Sequence, residues 1–433
     1  ADVGAITRLE AFLDSLKNAP PRPPLDRPVR RREVHTGGRT IYIPPMTDHS
    51  QALAAALQAN GVEAYVLPES DARTRELGLK YTSGKECYPC ALTTGDMLKP
   101  LLQAGTDPDR VAFFMPGGTG PCRFGQYHRL HRQILDELGF EDVPIYSPHQ
   151  SEVFYEELGL MGGDFTRRGW QGLVAVDLLL KALLQTRPYE TMPGAADRAY
   201  RHFLAKLCRQ MAEGKSADQV MAQAVEAFRA IPVEAPGSRP LVGVVGEIYT
   251  RANRFANEEV VRTVEELGGE AWMPPIAEWV LYINFTASQR AKVFHNWRAL
   301  FKTRLEDFFQ HKDIHHLAKP WRGRLQRLDD PRTSAIMELA GPYLHPTYEG
   351  EAILSLGKAE DMLRRGAVGI INVFPFTCMP GNIVNALMKR FREAHGGLPF
   401  LPLAMDGQEQ GGNRIRLEAF MHQVTEFRRA RSA

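Results

Sequence analysis

The chain has 433 residues, of which 44% are hydrophobic and 24% charged, a balance typical of a soluble protein with packed cores. Its formal net charge of +2 excludes the basic field of a nucleic-acid-binding protein, and no apolar run is long enough to span a membrane. Five cysteines and no secretory leader argue against a disulfide framework, so we expect a cytoplasmic protein of about three domains. The start at Ala1, without a methionine, leaves open that the chain is part of a longer protein.

The first part of the chain predicts a leading helix and then alternating strands and helices. Apolar spacing predicts a helix in residues 1–18, and the proline-rich stretch 20–28 predicts an extended linker. Strands are predicted at 40–44, 63–67, 111–115 and 144–146, and helices at 50–59, from the first cysteine loop to 102, and at 127–138. Strands that alternate with helices indicate a parallel sheet covered on both faces.

The second part repeats this pattern after a helical stretch. Residues 170–231 show only helical spacing, and 232–240 are rich in residues that break helices. Strands are then predicted at 241–245, 270–273, 368–374 and 398–403, and helices at 258–267, 276–345, 382–391 and from 414 onward. We therefore expect an α/β fold with two flavodoxin-like or Rossmann-like lobes. The predicted domains are 1–37 (helix and linker), 38–165 (first lobe), 166–237 (helical) and 238–433 (second lobe with the helical insertion 276–345).

Four of the five cysteines lie in loops that share a local pattern. Cys87 and Cys90 are separated by Tyr-Pro, Cys122 follows a glycine-rich turn, and Cys378 lies between two prolines. Ligands of parallel α/β folds bind beyond the carboxyl ends of the strands, where these loops are expected to converge. Cys208 instead lies inside an amphipathic helix and is expected to be a packed thiol.

Spacing alone leaves several kinds of site open for these thiols. A C-x-x-C pair at a helix start is typical of a redox dithiol, but that assignment leaves Cys122 and Cys378 unexplained. Structural zinc usually takes two close ligand pairs in one small module, whereas the third and fourth cysteines here are isolated. An iron–sulfur cluster takes thiolates from several loops, with Gly and Pro that let the backbone approach. This pattern favours the cluster without excluding the other two.

Other polar residues near these loops are candidates for contact with a bound group. Gly120 belongs to a glycine-rich turn that lacks the lysine-serine pair of a phosphate-binding loop. Arg123 could compensate a buried anionic cluster. Glu247 and Tyr249 follow a predicted strand end, although Glu247 could equally cap the next helix.

An ordered set of motifs resembles the 2-hydroxyacyl-CoA dehydratase superfamily, with the closest likeness to the carboxy-terminal part of large CoA-substrate-specific enzyme activase-like proteins. The motifs are residues 86–90 (ECYPC), 120–127 (GPCRFGQY), 246–249 (GEIY), 375–381 (PFTCMPG) and 416–420 (RLEAF). The resemblance covers nearly the whole chain from about residue 40.

The resemblance implies an oxygen-sensitive iron–sulfur component that receives low-potential electrons from an ATP-dependent activator. The motif cysteines correspond to Cys87, Cys90, Cys122 and Cys378 in this sequence. No nucleotide-binding pattern of the activator occurs here, so the ATPase would be an upstream portion or another protein. A double-cubane cluster would need about six thiolates if each half takes three, so a single [4Fe–4S] cluster is expected.

Three functions from different classes follow from these observations. The chain could relay electrons through its cluster, dehydrate a 2-hydroxyacyl-CoA directly as a lyase, or be a non-catalytic scaffold stabilised by zinc. Four cysteine ligands favour electron transfer, because a catalytic iron keeps an open position, so Cys378 discriminates between the first two functions. The sequence leaves open a small-molecule or acyl-CoA substrate and a homodimer.

Overall fold

A computed structural model describes residues 38–432, except Thr119, 149–164 and 409–411, together with five positions before residue 18. The chain divides into two compact units, residues 1–35 and 36–433. In the first unit the five described residues are helical (Glu10, Ala11, Leu13, Asp14 and Lys17). The rest of the predicted helix 1–18 and the linker 20–28 lie outside the described residues.

The second unit contains two four-stranded sheets, both wholly parallel and with the same strand order. The first sheet has the order β2-β1-β3-β4 and the second β6-β5-β7-β8. The strands are β1 Thr40–Ile43, β2 Ala64–Val66, β3 Val111–Phe114, β4 Ile145–Tyr146, β5 Leu241–Gly246, β6 Glu270–Trp272, β7 Gly369–Pro375 and β8 Phe400–Met405. In each sheet the first strand pairs with the second and the third, so the direction of winding reverses there. The predicted α/β fold with two parallel lobes is confirmed.

The central strands are apolar along their whole length because helices cover both faces of each sheet. Every residue of β3, β5 and β7 is buried. Parallel sheets lie between two helical layers, so their strands carry continuous apolar runs instead of alternation. This is why the sequence predicts these three strands well.

Helices of the first lobe share one hydrophobic core with helices of the middle segment, the predicted helical domain 166–237. Residues of β1 and β3, such as Ile41 and Ala112, belong to the same buried cluster as Val176 and Leu204. The helices of these two regions are His49–Gln58, Ala72–Tyr81, Tyr88–Leu101, Tyr127–Glu137, Phe165–Thr186, Ala195–Ala212 and Asp218–Arg229. The middle helices therefore extend the first lobe's core, whereas the exact domain boundaries stay a prediction.

Helices also cover the second sheet, and three of them lie within the predicted insertion 276–345. They are Ile248–Ala252, Val260–Glu266, Ala277–Val293, Trp297–Ala318, Thr333–Ala340, Glu351–Arg364, Met379–Ala394 and Gly412–Ser432. None of the helices in the described part of the chain is long and apolar enough to cross a membrane.

Besides the short Ile248–Ala252, two longer helices were not predicted, for opposite reasons. Ala72–Tyr81 is mostly polar and buries only three residues, so it has almost no apolar periodicity. Glu351–Arg364 is buried on nearly all sides, including Lys358 and Asp361, so it lacks the contrast between faces that marks an amphipathic helix.

Candidate metal centre

Three of the four loop cysteines occupy the position immediately before a helix. Cys87 precedes Tyr88–Leu101, Cys122 precedes the short 3₁₀ turn Arg123–Gln126, and Cys378 precedes Met379–Ala394. All three have extended backbones, with ψ of 143°, 134° and 122° respectively. Unpaired backbone N–H groups and the helix dipole favour negative charge there, so these positions favour thiolates.

Cys122 and Cys378 hold equivalent places in the two lobes. Each follows the third strand of its sheet, β3 or β7, at the carboxyl end. Cys87 differs, because the helix Ala72–Tyr81 separates it from β2. Unlike Cys122 and Cys378, Cys87 and Cys90 therefore do not follow a strand directly.

The structure brings the four thiols close enough for their charges to act on one another. The charge of Cys87 raises the pKa of Cys90 and of Cys122, and the charge of Cys122 raises that of Cys378. Cys87, Cys90 and Cys378 are buried, whereas Cys122 is exposed. Loops from both lobes thus converge on one place, with one thiol facing solvent.

Arg123 joins the loops that carry the cysteines. Its Nη1 donates to the carbonyl oxygen of Lys85 at 2.5 Å, two residues before Cys87. Its Nη2 donates to Oγ1 of Thr377 at 2.8 Å, next to Cys378. One guanidinium therefore links the second lobe to the first beside the thiols, and its charge lowers the pKa of Cys87 and Cys90.

Burial opposes ionisation of all four thiols. Desolvation by the surrounding protein is the largest influence on each thiol. It raises the pKa of Cys122 to about 12, although this residue as a whole is exposed, and the pKa of the other three as well. A hydrogen bond with the buried Tyr127 hydroxyl acts in the opposite direction on Cys87. Since metal ligation requires thiolates, a strong positive centre among these sulfurs would be needed to remove their protons at neutral pH.

Two carboxyl groups of the second lobe lie beside the thiols. Glu247 accepts hydrogen bonds from the backbone N–H groups of Tyr249 and Thr250, so it does cap the helix Ile248–Ala252. Glu351 accepts from the backbone N–H of Ile248 at 3.1 Å. Burial, and then the charge of Glu247, raise the pKa of Glu351 to about 8.

Both carboxylates act on the sulfurs, because their charges raise the pKa of Cys122 and of Cys378. The two sequence-based roles of Glu247, helix cap and neighbour of the site, are thus compatible. Glu351 was not predicted, since an acidic residue in the first turn of a helix is ordinary and carries no sign of a distant partner.

The remaining candidates lie in different surroundings. Tyr249 is buried, and burial followed by the charge of Asp96 raises its pKa well above the ordinary value, so it faces the first lobe. A methyl group on Gly120 would meet no atom within 4 Å, which leaves open space above that turn. Gly381 is required for another reason, because a side chain there would collide with the ring of Phe374.

Within the described part of the chain, no three or more His, Cys, Asp and Glu side chains form a group that could hold a metal ion. Comparison of the sequence with models of protein families gives no match, and comparison with curated protein sequences gives none either. The superfamily resemblance and the ligand assignment therefore stay predictions.

Proposed function

We propose that this protein is an iron–sulfur redox component that holds one [4Fe–4S] cluster on Cys87, Cys90, Cys122 and Cys378. The observation that carries the proposal is the convergence of cysteine loops from two lobes, which Arg123 joins by hydrogen bonds to Lys85, near Cys87, and to Thr377, next to Cys378. The charges of the thiols act on one another as well. A set of sulfur ligands alone suits iron–sulfur clusters or zinc.

A cluster fits this arrangement better than a single ion does. The four ligands of a single ion must crowd around one centre, and no such group exists among the described residues. In a cubane each cysteine binds its own iron, so the sulfurs lie farther apart. Four thiols that interact electrostatically without crowding together are compatible with this spacing.

The surrounding residues would favour an anionic cluster. Helix N-termini at Cys87, Cys122 and Cys378 direct N–H groups toward it, and Arg123 supplies a cation. When bound, the cluster would supply one-electron chemistry. The exposed Cys122 marks the side at which an ATP-dependent activator or a substrate would approach.

A second candidate function is dehydration of a 2-hydroxyacyl-CoA by this chain itself. It is favoured by Glu351, which carries a proton at neutral pH because its pKa is raised to about 8. A protonated carboxyl beside the sulfurs could give its proton to a leaving hydroxyl group. This function would require an iron without a cysteine ligand.

The experiment is anaerobic purification followed by counting of iron, sulfide and zinc per chain. We expect about four irons and four sulfides per chain, a broad charge-transfer absorbance and a paramagnetic signal on reduction. Zinc in equal amount to the chain, with no iron or sulfide, would exclude both functions and favour the zinc scaffold. Full iron content in a Cys378→Ser variant would favour the lyase.

A further inference from the structure

A cavity whose lining contains none of the cysteines lies at the carboxyl ends of strands from both sheets. It has a volume of about 240 Å³ and is lined by residues after β1, β5 and β6, including His49, Arg251 and Ile276. Middle-segment helices close it with Asp177, Tyr200 and Arg201, among others. Ligands of parallel α/β sheets bind at such strand ends.

Six cations line this cavity, and four of them are already paired with carboxylates. Lys181 pairs with Asp330, Arg187 with Asp197 and Glu265, Arg254 with Asp48, and Arg262 with Asp197. The other two, Arg201 and Arg251, have no carboxylate oxygen within 4.0 Å among the described residues. The cavity therefore contains two cations that lack a direct counter-ion.

Arg251 needs a counter-ion more than Arg201 does, because it is only 7% exposed. Its Nη1 donates to the carbonyl oxygen of Gly246 at 3.2 Å, which leaves most of its five N–H groups for another acceptor. Burial is the main cause that lowers its pKa, while the charges of Glu278, Glu351, Glu247 and Asp177 act in the opposite direction without pairing with it. A buried charge without a direct partner is costly, and a bound anion would supply that partner.

Asp177 lines the cavity and acts on the charge of Arg251, but it does not pair with this arginine. Asp177 accepts from the backbone N–H groups of Ile276 and Ala277, both at 2.9 Å, and its Oδ1 lies 3.0 Å from Nε2 of His49. Its carboxylate is thus already bonded to the start of the helix Ala277–Val293 and to His49. The exposed Arg201 lies on the lining as well, so a ligand could meet one arginine at depth and one nearer the solvent.

We propose that this cavity binds a small anion, a carboxylate or a phosphate, between Arg251 and Arg201. A guanidinium presents paired N–H groups that match both kinds of oxyanion. At about 30 Å³ per water, the cavity holds roughly eight waters, which suits a short organic acid or inorganic phosphate. The inference does not depend on the proposed cluster, so it can be tested without iron.

The test is isothermal titration of inorganic phosphate and, separately, of succinate into the metal-free protein at constant ionic strength, with chloride as the control anion. We expect saturable binding of at least one of them, one per chain, with a rise in melting temperature. Arg251→Gln and Arg201→Gln should each weaken binding at least 10-fold. Arg198→Gln, on the same helix as Arg201 but outside the cavity lining, should not change it.

Binding of only one of the two anions would assign its chemical class. Absence of saturable binding for both, or equal affinity in all variants, would overturn the proposal. If Arg251→Gln fails to fold, Arg201→Gln carries the test, because an exposed arginine can be replaced with little effect on stability.

A different observation concerns the surface of the helical insertion. Phe294, Trp297, Phe301, Leu305 and Phe308 are exposed, four of them by 62% or more. From Trp297 onward their spacing of four, four and three residues places them on one face of the helix Trp297–Ala318. Isolated exposed apolar residues are ordinary, but a continuous aromatic stripe indicates an interface.

We infer that a second copy of this chain covers this stripe. Its four aromatic rings and the neighbouring Phe309 are half to three-quarters exposed. Together they offer roughly 500–800 Å², since each ring buries about 150–250 Å² when covered. This matches the ~800 Å² per partner of a standard interface. A two-fold axis near Lys302 would place Trp297 opposite Phe308, so the two ends of the stripe would cover each other.

Sedimentation velocity at tens of micromolar is the test. We expect a dimer for the native chain and a monomer for Phe301→Glu. Leu79→Glu, which places the same charge on an exposed apolar residue of a different helix, should stay dimeric. A native chain that is monomeric at this concentration would overturn the inference and indicate that a different protein covers the stripe.

Discussion

The thiols of Cys87, Cys90, Cys122 and Cys378 share an environment that Cys208 lacks. Each of the four interacts with another thiol or with Arg123. Cys208 lies within the helix Ala195–Ala212, and apart from burial only the charge of Asp48 acts on its pKa. Cys208 is thus a matched control for the four.

We predict that replacement of any of these four cysteines by serine lowers the iron content of anaerobically reconstituted protein by at least one iron, while Cys208→Ser retains all of it. A weaker hard ligand replaces a thiolate in each variant. Iron analysis and paramagnetic resonance provide the measurement. An equal loss in Cys208→Ser would mean that the loss reflects folding and not ligation.

Glu351 predicts a pH dependence of stability. Its pKa is raised in the folded state to about 8 from the ordinary 4.5, so the folded protein holds a proton that the unfolded chain releases. The contribution of Glu351 to the free energy of unfolding therefore falls as the pH rises from about 4.5 to about 8. We expect Glu351→Gln to remove this dependence and to be more stable than the native protein at pH 8 by about 1–4 kcal/mol.

Urea unfolding of metal-free protein at pH 5 and pH 8 measures this difference. The two proteins should be nearly equal in stability at pH 5. A difference that does not grow with pH would show that the Glu351 carboxyl is not protonated in the folded state.

Among the elements, the helices Ala72–Tyr81 and Tyr88–Leu101 pack so closely that glycine is required on both. A side chain on Gly78 would overlap the carbonyl oxygen of Ala91, and one on Gly95 would overlap that of Thr74. Backbone cannot move aside as a flexible side chain can. This close contact fixes the start of the second helix, and with it Cys87 and Cys90.

We predict that Gly95→Ala destabilises the protein by about 3 kcal/mol and lowers iron retention, because the two helices must separate. Gly169→Ala is the control, since no atom within 4 Å of that helical position would meet the new methyl group. It should be neutral or stabilising by up to about 1 kcal/mol. Thermal unfolding measures both changes, and a neutral Gly95→Ala would contradict the close packing.

For the whole molecule, contacts between the two sheets determine whether a site exists. Arg123 joins Lys85 to Thr377, and Nδ2 of Asn253 donates to the carbonyl oxygen of Pro45 at 2.9 Å. These contacts bring the second lobe against the first. If Cys378 is a ligand, a cluster would add a covalent link across the same contact.

We predict that Arg123→Gln increases hydrogen exchange at the amides of residues 83–87 and 376–378, with an effect on global stability of about 1 kcal/mol or less, because the side chain is exposed. Arg129→Gln, an exposed arginine on the next helix, should leave this exchange unchanged. Reconstitution of the cluster should slow exchange at both segments. Equal exchange in both variants would show that Arg123 does not hold the loops together.

The sequence by itself determined the strands and most helices. Continuous apolar runs such as Val111–Phe114 and Leu241–Gly246 can only be buried between two layers, so their period and length predict a parallel sheet. It also identified the four loop cysteines and Arg123, because proline and glycine around the cysteines mark turns at helix starts. Helices without contrast between two faces, such as Glu351–Arg364, carry no comparable local signal.

Only the tertiary structure decided which of these residues meet. Cys378 lies far from Cys122 along the chain, and no local pattern specifies that their charges interact. The same holds for Glu351 beside Glu247 and for Arg251, whose lack of a direct counter-ion becomes visible only when the cavity closes around it. Burial and pairing are properties of the assembled lobes, since they depend on what surrounds a group in space and not on its neighbours in sequence.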